Sequence, residues 1–165
     1  MTPSSPALAE PVHRPSAKAP LVWALTAALP WSVLLVAVGV WAVLDDTTRR
    51  VQLVAAVAAG LGAVLFVVVA PLWRYRVHRW DIDERAVYTR TGWFTQERRI
   101  APISRVQTVD TYRGPLDRLF GLANVTVTTA SSAGAVHIVA LDAPVADTVV
   151  ARLTDIAALG AEDAT

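Results

Sequence analysis

The sequence predicts a helical hairpin that spans a membrane, followed by a small, mainly-β domain closed by an amphipathic helix. Three observations predict it. Two long stretches, Leu21 to Leu44 and Val51 to Trp73, contain no charged residue. Past Trp73 the apolar residues fall into short alternating segments broken by turn residues, which is the pattern of strands. In the last stretch, Pro144 to Leu159, Val145, Val149, Leu153, Ile156 and Leu159 recur three or four residues apart and mark one face of a helix.

Composition bounds the function. The chain has 165 residues, 54% apolar and 18% charged. An ordinary soluble chain is about a quarter charged, and here the shortfall lies between Leu21 and Trp73. With no cysteine, a disulfide framework, a thiolate metal site and a thiol nucleophile are all excluded. A net charge of +1 argues against a nucleic-acid partner. That charge is unevenly spread. Arg74 to Arg118 holds ten arginines and six acids, a net of +4, whereas Leu119 to Thr165 holds one arginine and five acids, a net of −4. The basic half adjoins the apolar runs.

Residues 1–20 include five prolines and few large apolar groups, so a disordered cytoplasmic tail is expected. Arg14 and Lys18 ahead of an apolar run also suit a secretory signal. The run of 24 residues from Leu21 to Leu44 is too long for a cleavable signal and long enough to cross a bilayer. As a helix it reaches about 36 Å, against a hydrocarbon core of about 30 Å. Pro30 is expected to kink this first transmembrane helix, 21–44. The second, 51–73, follows a short polar loop and carries Gln52 as its one strongly polar residue. A buried hairpin of a soluble protein would need a larger domain to cover it than this chain supplies. Trp23, Trp41 and Trp73 fall near the span ends, where indole rings favour the headgroup zone. Gly60 and Gly62, among Ala55, Ala56, Ala59 and Ala63, give the second span a small-residue face for close packing. Arg14, Lys18, Arg74, Arg76, Arg79, Arg85 and Arg90 flank the outer ends, against Arg49 and Arg50 in the loop. Cytoplasmic flanks are enriched in such cations, so both termini are expected in the cytoplasm of a cell-membrane protein.

The domain at 74–159 is expected to hold strands near 80–83, 86–92, 95–102, 105–113, 124–130 and 135–141. Hairpin turns are expected at Asp83-Glu84-Arg85 and Ser131-Ser132-Ala133-Gly134. Gly114 to Gly121 reads as a short helix with Pro115 at its start and a glycine past its end. Residues 160–165 are expected to form a tail.

The run VYTRTGWFTQERRIAPISRVQTVDTYRGPLDRLFGLANVTVTTAS, then AVHIVALDAP and the closing helix, resembles the bacterial pleckstrin-homology (PH) domain of the membrane-anchored, YdbS-like kind. The order of parts is similar too, with two transmembrane helices, a basic junction and then the domain. The likeness covers residues 20 to 159. Its most specific piece is the strand from Ile103 to Val109 followed by Gly114, Leu116, Arg118, Leu119, Gly121 and the strand from Val125 to Thr129. The resemblance implies a two-helix transmembrane hairpin followed by a mainly-β PH-like barrel or sandwich of about seven strands, with a C-terminal amphipathic helix at one end. It implies no reaction and no cofactor. It implies as partner another membrane protein with PH-like domains.

Read for chemistry, the residues offer little apart from arginine. His13, His78 and His137 have no second ligand at metal spacing, so no metal site is expected. Ser104, Ser131 and Ser132 lack a nucleophile elbow and a nearby histidine, and Gly92, Gly114, Gly121 and Gly134 are too scattered for a phosphate loop. Asp81, Asp83 and Glu84 read as a solvated hairpin, and Asp117 with Arg118 as a brace. Arg74, Arg76 and Arg79 follow the second span directly, where each cation near an anionic leaflet is worth about 1 kcal/mol. They also serve as topology determinants, the commoner role of such flanks. Arg98, Arg99, Arg105 and Arg113 lie on expected strands and form a basic patch only if they share a face. These seven are the candidate lipid- or partner-binding residues, with no catalytic residue expected. The leading expectation is a non-enzymatic module, anchored in the bilayer, that binds protein partners at the cytoplasmic face, with a role in envelope maintenance. A sensor of anionic headgroups is the alternative, and an enzyme at the membrane surface is disfavoured by the missing catalytic cluster. An open sheet edge able to accept a partner's strand is a further device.

Overall fold

The computed structural model describes residues 11–92, 96–130 and 134–162. The chain divides into two compact units, a helical one at Ala17–Arg76 and a β-rich one that joins the segment through Ser16 to Val77 and beyond.

In the helical unit, α1 spans Ala19–Leu44 and continues through Pro30 as one helix. α2 spans Arg49–Val77, with a π-helical stretch at Val64–Val69. Both are long and apolar enough to cross a membrane. α2 outlasts its apolar run by four residues, because charge ends hydropathy but not helicity. Arg74 and Arg76 favour the helix and sit well against its negative C-terminal dipole. The connecting loop is tied by side chains. Asp45 accepts the Thr47 amide at 2.8 Å, the Thr47 hydroxyl and the Thr48 hydroxyl at 2.8 Å. Thr47 most of all, by hydroxyl and then amide, holds the Asp45 carboxyl down at about 2. Gln52 is buried, and its amide nitrogen donates to the carbonyls of Trp41, at 3.3 Å, and Asp45.

Of the two glycines expected to let the helices approach, only Gly62 does so. A Cβ there would overlap the indole ring of Trp31, whereas one at Gly60 would meet nothing within 4 Å. Trp31 in turn stacks on Phe66 at 5.6 Å between ring centroids. Gly62→Leu is therefore expected to destabilise the hairpin by about 1–3 kcal/mol, as overpacking does, and Gly60→Leu to leave it nearly unchanged. Melts of the full chain in detergent, followed by tryptophan fluorescence, compare the two.

The β-rich unit holds β1 (Arg79–Ile82), β2 (Ala86–Gly92) and β3 (Gln96–Pro102), then a 3-10 turn at Ile103–Arg105. β4 (Val106–Tyr112), α3 (Pro115–Phe120), β5 (Leu122–Thr129), β6 (Val136–Asp142) and α4 (Ala143–Glu162) follow. The strands form two antiparallel meanders, β1-β2-β3 and β4-β5-β6, a sandwich rather than a closed barrel. Six strands lie among the described residues, one fewer than the resemblance implies. Alternating residues of both sheets fill one core. Trp80, Ile82, Val87 and Ala101 come from the first, Val125, Val127, Val136 and Ile138 from the second, and Ala146, Val149 and Leu153 from α4.

Three expectations change. The tail expected at 1–20 is ordered in its described half. His13 pairs antiparallel with Trp80 through two backbone bonds of 3.0 Å, and Ser16 N–H donates to Ala140 O at 2.8 Å. This strap crosses from β1 to β6, because a bare strand edge gives backbone bonds to a segment that has little apolar surface of its own. The domain consequently begins at Val77, with residues through Ser16 added, and Arg74 and Arg76 belong to the helical unit. On α4, Val149, Leu153 and Ile156 join the core as expected, but at the start of the helix Ala146 is fully buried while Val145 remains 41% exposed. The helix also runs on to Glu162 instead of ending at Leu159. The Ser131-Ser132-Ala133 turn, Thr95 at the start of its expected strand, the Leu159 side chain and residues 1–10 and 163–165 lie outside the described residues.

The Gly114 to Gly121 motif forms as expected. Gly121 ends α3 at φ +69°, the left-handed conformation that glycine adopts without cost. Asp117 accepts the Gly114 amide at 3.0 Å and the Asn124 amide nitrogen at 2.9 Å, and Asn124 Oδ1 accepts Ala140 N–H at 2.8 Å. The expected brace thus runs through Asp117 to the irregularity on β6, where Ala140 has φ +54°.

Candidate functional site

Side chains of directly opposed residues in an antiparallel sheet share a face, so strand register decides which arginines meet. In the first sheet Arg79 pairs with Arg90, and Arg90 with Arg98. The three stand in one row across all three strands, on the side away from the core residues Trp80, Thr89 and Ala101. The neighbouring row on that face is Asp81, Tyr88 and Ile100. Carbonyls steer two of the guanidinium groups. Arg79 Nη1 donates to His78 O at 2.9 Å and Arg90 Nε to Val77 O at 3.3 Å. Asp81 lies 3.5 Å from His13 Nδ1, and Glu97 contacts Arg99 at 2.6 Å.

The seven candidate arginines are therefore divided. Arg79 and Arg98 come together, with Arg90, which sequence reasoning counted only as flanking charge, between them. Arg99 follows Arg98 and so points to the opposite face, where Nη1 donates to Ala135 O at 3.1 Å. Arg105 sits exposed in the 3-10 turn. Arg113 reaches Asp147 on α4 at 3.7 Å. In the helical unit, Arg74 lies 4.2 Å above the Trp23 ring, a cation–π contact, and Arg76 is exposed.

The turn before β2 is a hydrogen-bonded hairpin. Asp83 accepts the amides of Arg85 at 2.8 Å and Ala86 at 2.7 Å. Burial pushes the Asp83 carboxyl up, but those amides, with Tyr88 and Arg85, bring it below its ordinary value. Tyr88 is raised by burial and by its bond to Asp83. The histidines are dispersed. His13 stacks on Trp80 at 4.8 Å, His137 Nδ1 lies 3.1 Å from Thr126 Oγ1, and His78 is buried. Among the described residues, no three metal-ligating side chains of this kind converge.

A second feature lies on the other sheet. β4 pairs on one side with β5, and among the described residues no strand covers its other side. Gln107, Thr108, Asp110, Thr111 and Tyr112 are exposed along it. A register shift between Val106 and Thr108 interrupts pairing at one end, leaving Thr108 to Tyr112 regular.

Comparison with known proteins agrees with this architecture. Residues 20–156 match the family model described as Bacterial PH domain. The UPF0699 transmembrane protein YdbS of Bacillus subtilis (strain 168) is 38% identical over 72 residues, 44% of this chain and 45% of that protein. The aligned stretch thus spans less than half the length of that curated relative. No solved structure matches.

Proposed function

The chain belongs to the bacterial PH domain family, and from that premise we propose that it is a binding module, not an enzyme, held at the cytoplasmic face of the cell membrane. Its partner in this reading is another membrane protein with PH-like domains, docked by strand addition, and the pair serves envelope maintenance. The observation that carries the reading is the regular edge of β4 that no described strand covers, a template for a partner's strand. The orientation is supported by the meeting of the segment before α1 with the segment after α2 in one unit. Two crossings return the chain to its starting side, and the excess of flanking cations assigns that side to the cytoplasm.

The absence of cysteine makes one experiment sufficient, since each introduced thiol is unique. In intact cells a membrane-impermeant maleimide is expected to label Asp46→Cys and to reach Thr111→Cys only after the cells are opened. Thiol crosslinking of Thr111→Cys in the membrane is then expected to trap a discrete adduct with another PH-like membrane protein. Adding Thr108→Lys, a charge of the kind that blocks edge pairing, should abolish it. Labelling of Thr111→Cys from outside overturns the orientation. An adduct indifferent to Thr108→Lys, or none at all, overturns strand addition.

A further inference from the structure

We propose that the groove between α1 and α2 near their connecting loop is the seat of a third membrane-spanning helix, one that belongs to another protein and carries a hydroxyl or amide hydrogen-bond donor. The inference does not rest on strand addition at β4, because every residue that carries it lies in the helical unit. It begins from one atom. Gln52 is 3% exposed, and its amide nitrogen donates to the carbonyls of both Trp41 and Asp45. That pairing fixes which end of the amide is which, since a turned amide would set Oε1 against two carbonyl oxygens. Oε1 then accepts no hydrogen bond from any described residue. A buried carbonyl without a donor is costly, and the hydrocarbon of a bilayer offers none.

The groove that Gln52 lines has a volume of about 470 Å³. Leu35, Val38, Gly39 and Ala42 form its α1 wall, and Arg49, Gln52, Leu53 and Ala56 its α2 wall. Each set has the spacing i, i+3, i+4, i+7, so each is a single stripe along its helix. Two stripes side by side are the seat that a pair of packed helices offers to a third. Inside a bilayer, helices associate through close contact of small residues and through interhelical hydrogen bonds. Gly39, Ala42 and Ala56 provide the first and Gln52 Oε1 the second. A Cβ at Gly39 would meet nothing within 4 Å, so, unlike Gly62, it serves no contact within the hairpin by lacking a side chain. Leu53, 67% exposed, stands at the rim.

Charge complementarity selects the occupant, because the partial negative charge on Oε1 calls for a polarised hydrogen. A lipid acyl chain fills apolar walls but has no such hydrogen to give. A second copy of this hairpin, in the same orientation, brings its donors at the wrong depth or already in use. Gln52 is level with Trp41 and Asp45, whereas the hydroxyl residues within α1, Thr26 and Ser32, lie roughly 22 Å and 14 Å from Trp41 along the helix at about 1.5 Å per residue. At the loop, the hydroxyls of Thr47 and Thr48 and the Trp41 indole N–H all donate to Asp45. The occupant is therefore a helix of different sequence, with serine, threonine, asparagine or a similar donor near the loop-side end of its span.

The test uses the full-length chain in the membrane of its own cells. A photoreactive benzophenone side chain replaces either Leu53, at the rim of the groove, or Val51, which is exposed on the far side of the same helix. Illumination is expected to give, from position 53 and not from position 51, a discrete adduct whose crosslinked peptide is a spanning segment of another protein with a side-chain donor in its loop-side turns. Gly39→Leu, which fills the groove, is expected to remove that adduct while melting of the purified chain in detergent stays unchanged. Replacing the partner's donor by an apolar residue of similar size should weaken the adduct by about threefold or more, the scale of an interhelical hydrogen bond. Equal adducts from the two positions overturn the groove, as does an adduct indifferent to Gly39→Leu. An adduct with lipid alone, with a second copy of the chain or with a segment that lacks a donor overturns the assigned occupant, and the absence of any adduct overturns the proposal. Because the comparison of positions 51 and 53 leaves Gly39 and Gln52 in place, the outcome stands even where a groove-filling variant misfolds.

Discussion

Truncating Leu153 to alanine is expected to destabilise the β-rich unit by about 2–5 kcal/mol, the range for a buried leucine whose cavity collapses only partly. Leu153 is fully buried on α4, in the cluster that also holds Val125 and Val127 of β5, Ile138 of β6 and Trp80 of β1. It therefore joins the closing helix to both sheets at once. In a unit of this size each kcal/mol moves the melting temperature by about 4–8 °C, so a fall of roughly 8–40 °C is expected for the full chain in detergent. Val145→Ala, on the same helix but 41% exposed, should change stability by less than about 0.5 kcal/mol. Similar shifts for both variants would mean that α4 does not pack through Ala146, Val149 and Leu153.

Removing residues 2–16 is expected to cost about 3 kcal/mol, from several hydrogen bonds worth roughly 1 kcal/mol each, set against the entropy of ordering a short strap. The strap supplies the His13 bridge to Trp80, the two bonds of Ser16 to Ala140 O and Asp142 Oδ1, and the Arg14 carbonyl that accepts the Trp80 indole N–H at 3.2 Å. It also stacks His13 on the Trp80 ring. Its loss strips the edge of β1 and a tie between the two sheets. His13→Pro removes one backbone donor and should reproduce part of the loss, and Ser16→Ala, which removes one side-chain bond, a smaller part. Hydrogen exchange at Trp80 and its β1 neighbours reads the effect locally. Unchanged protection after deletion would show that the segment adds nothing to the sheet.

Much of the fold was legible because it follows from periodicities that need no partner. Runs of twenty-odd uncharged residues are long and apolar enough to cross a membrane, and the helices begin and end within a few residues of the expected limits. The strands follow alternation, and their ends are set by turn residues. Gly114, Pro115 and Gly121 announce α3 and its left-handed end by the conformations those residues favour.

The candidate site was less legible, for physical reasons that differ by residue. Alternation alone places Arg98 and Arg99 on opposite faces, so a single patch containing both was never available to a regular strand. The meeting of Arg79 with Arg90 was readable from the hairpin at Asp83-Glu84-Arg85, whose centre sets the pairing of β1 with β2. The pairing of Arg90 with Arg98 depends on the connection through Trp93, Phe94 and Thr95, a sequence with no strong turn signature. Arg113, a member of a basic patch only if the four strand arginines shared a face, reaches an acid on α4, a residue 34 positions away.

The sequence by itself determined the membrane hairpin, the order of strands and helices, the short motif around Asp117 and the concentration of basic charge just after the second span. Each is a property of local composition or spacing. Only the tertiary structure decided that the N-terminal segment straps the two sheets, that Ala146 and not Val145 faces the core, and which three of the arginines stand in line. Those outcomes depend on which surfaces long stretches of chain bring together, and neither a proline-rich segment nor an isolated arginine carries that information in its own residues.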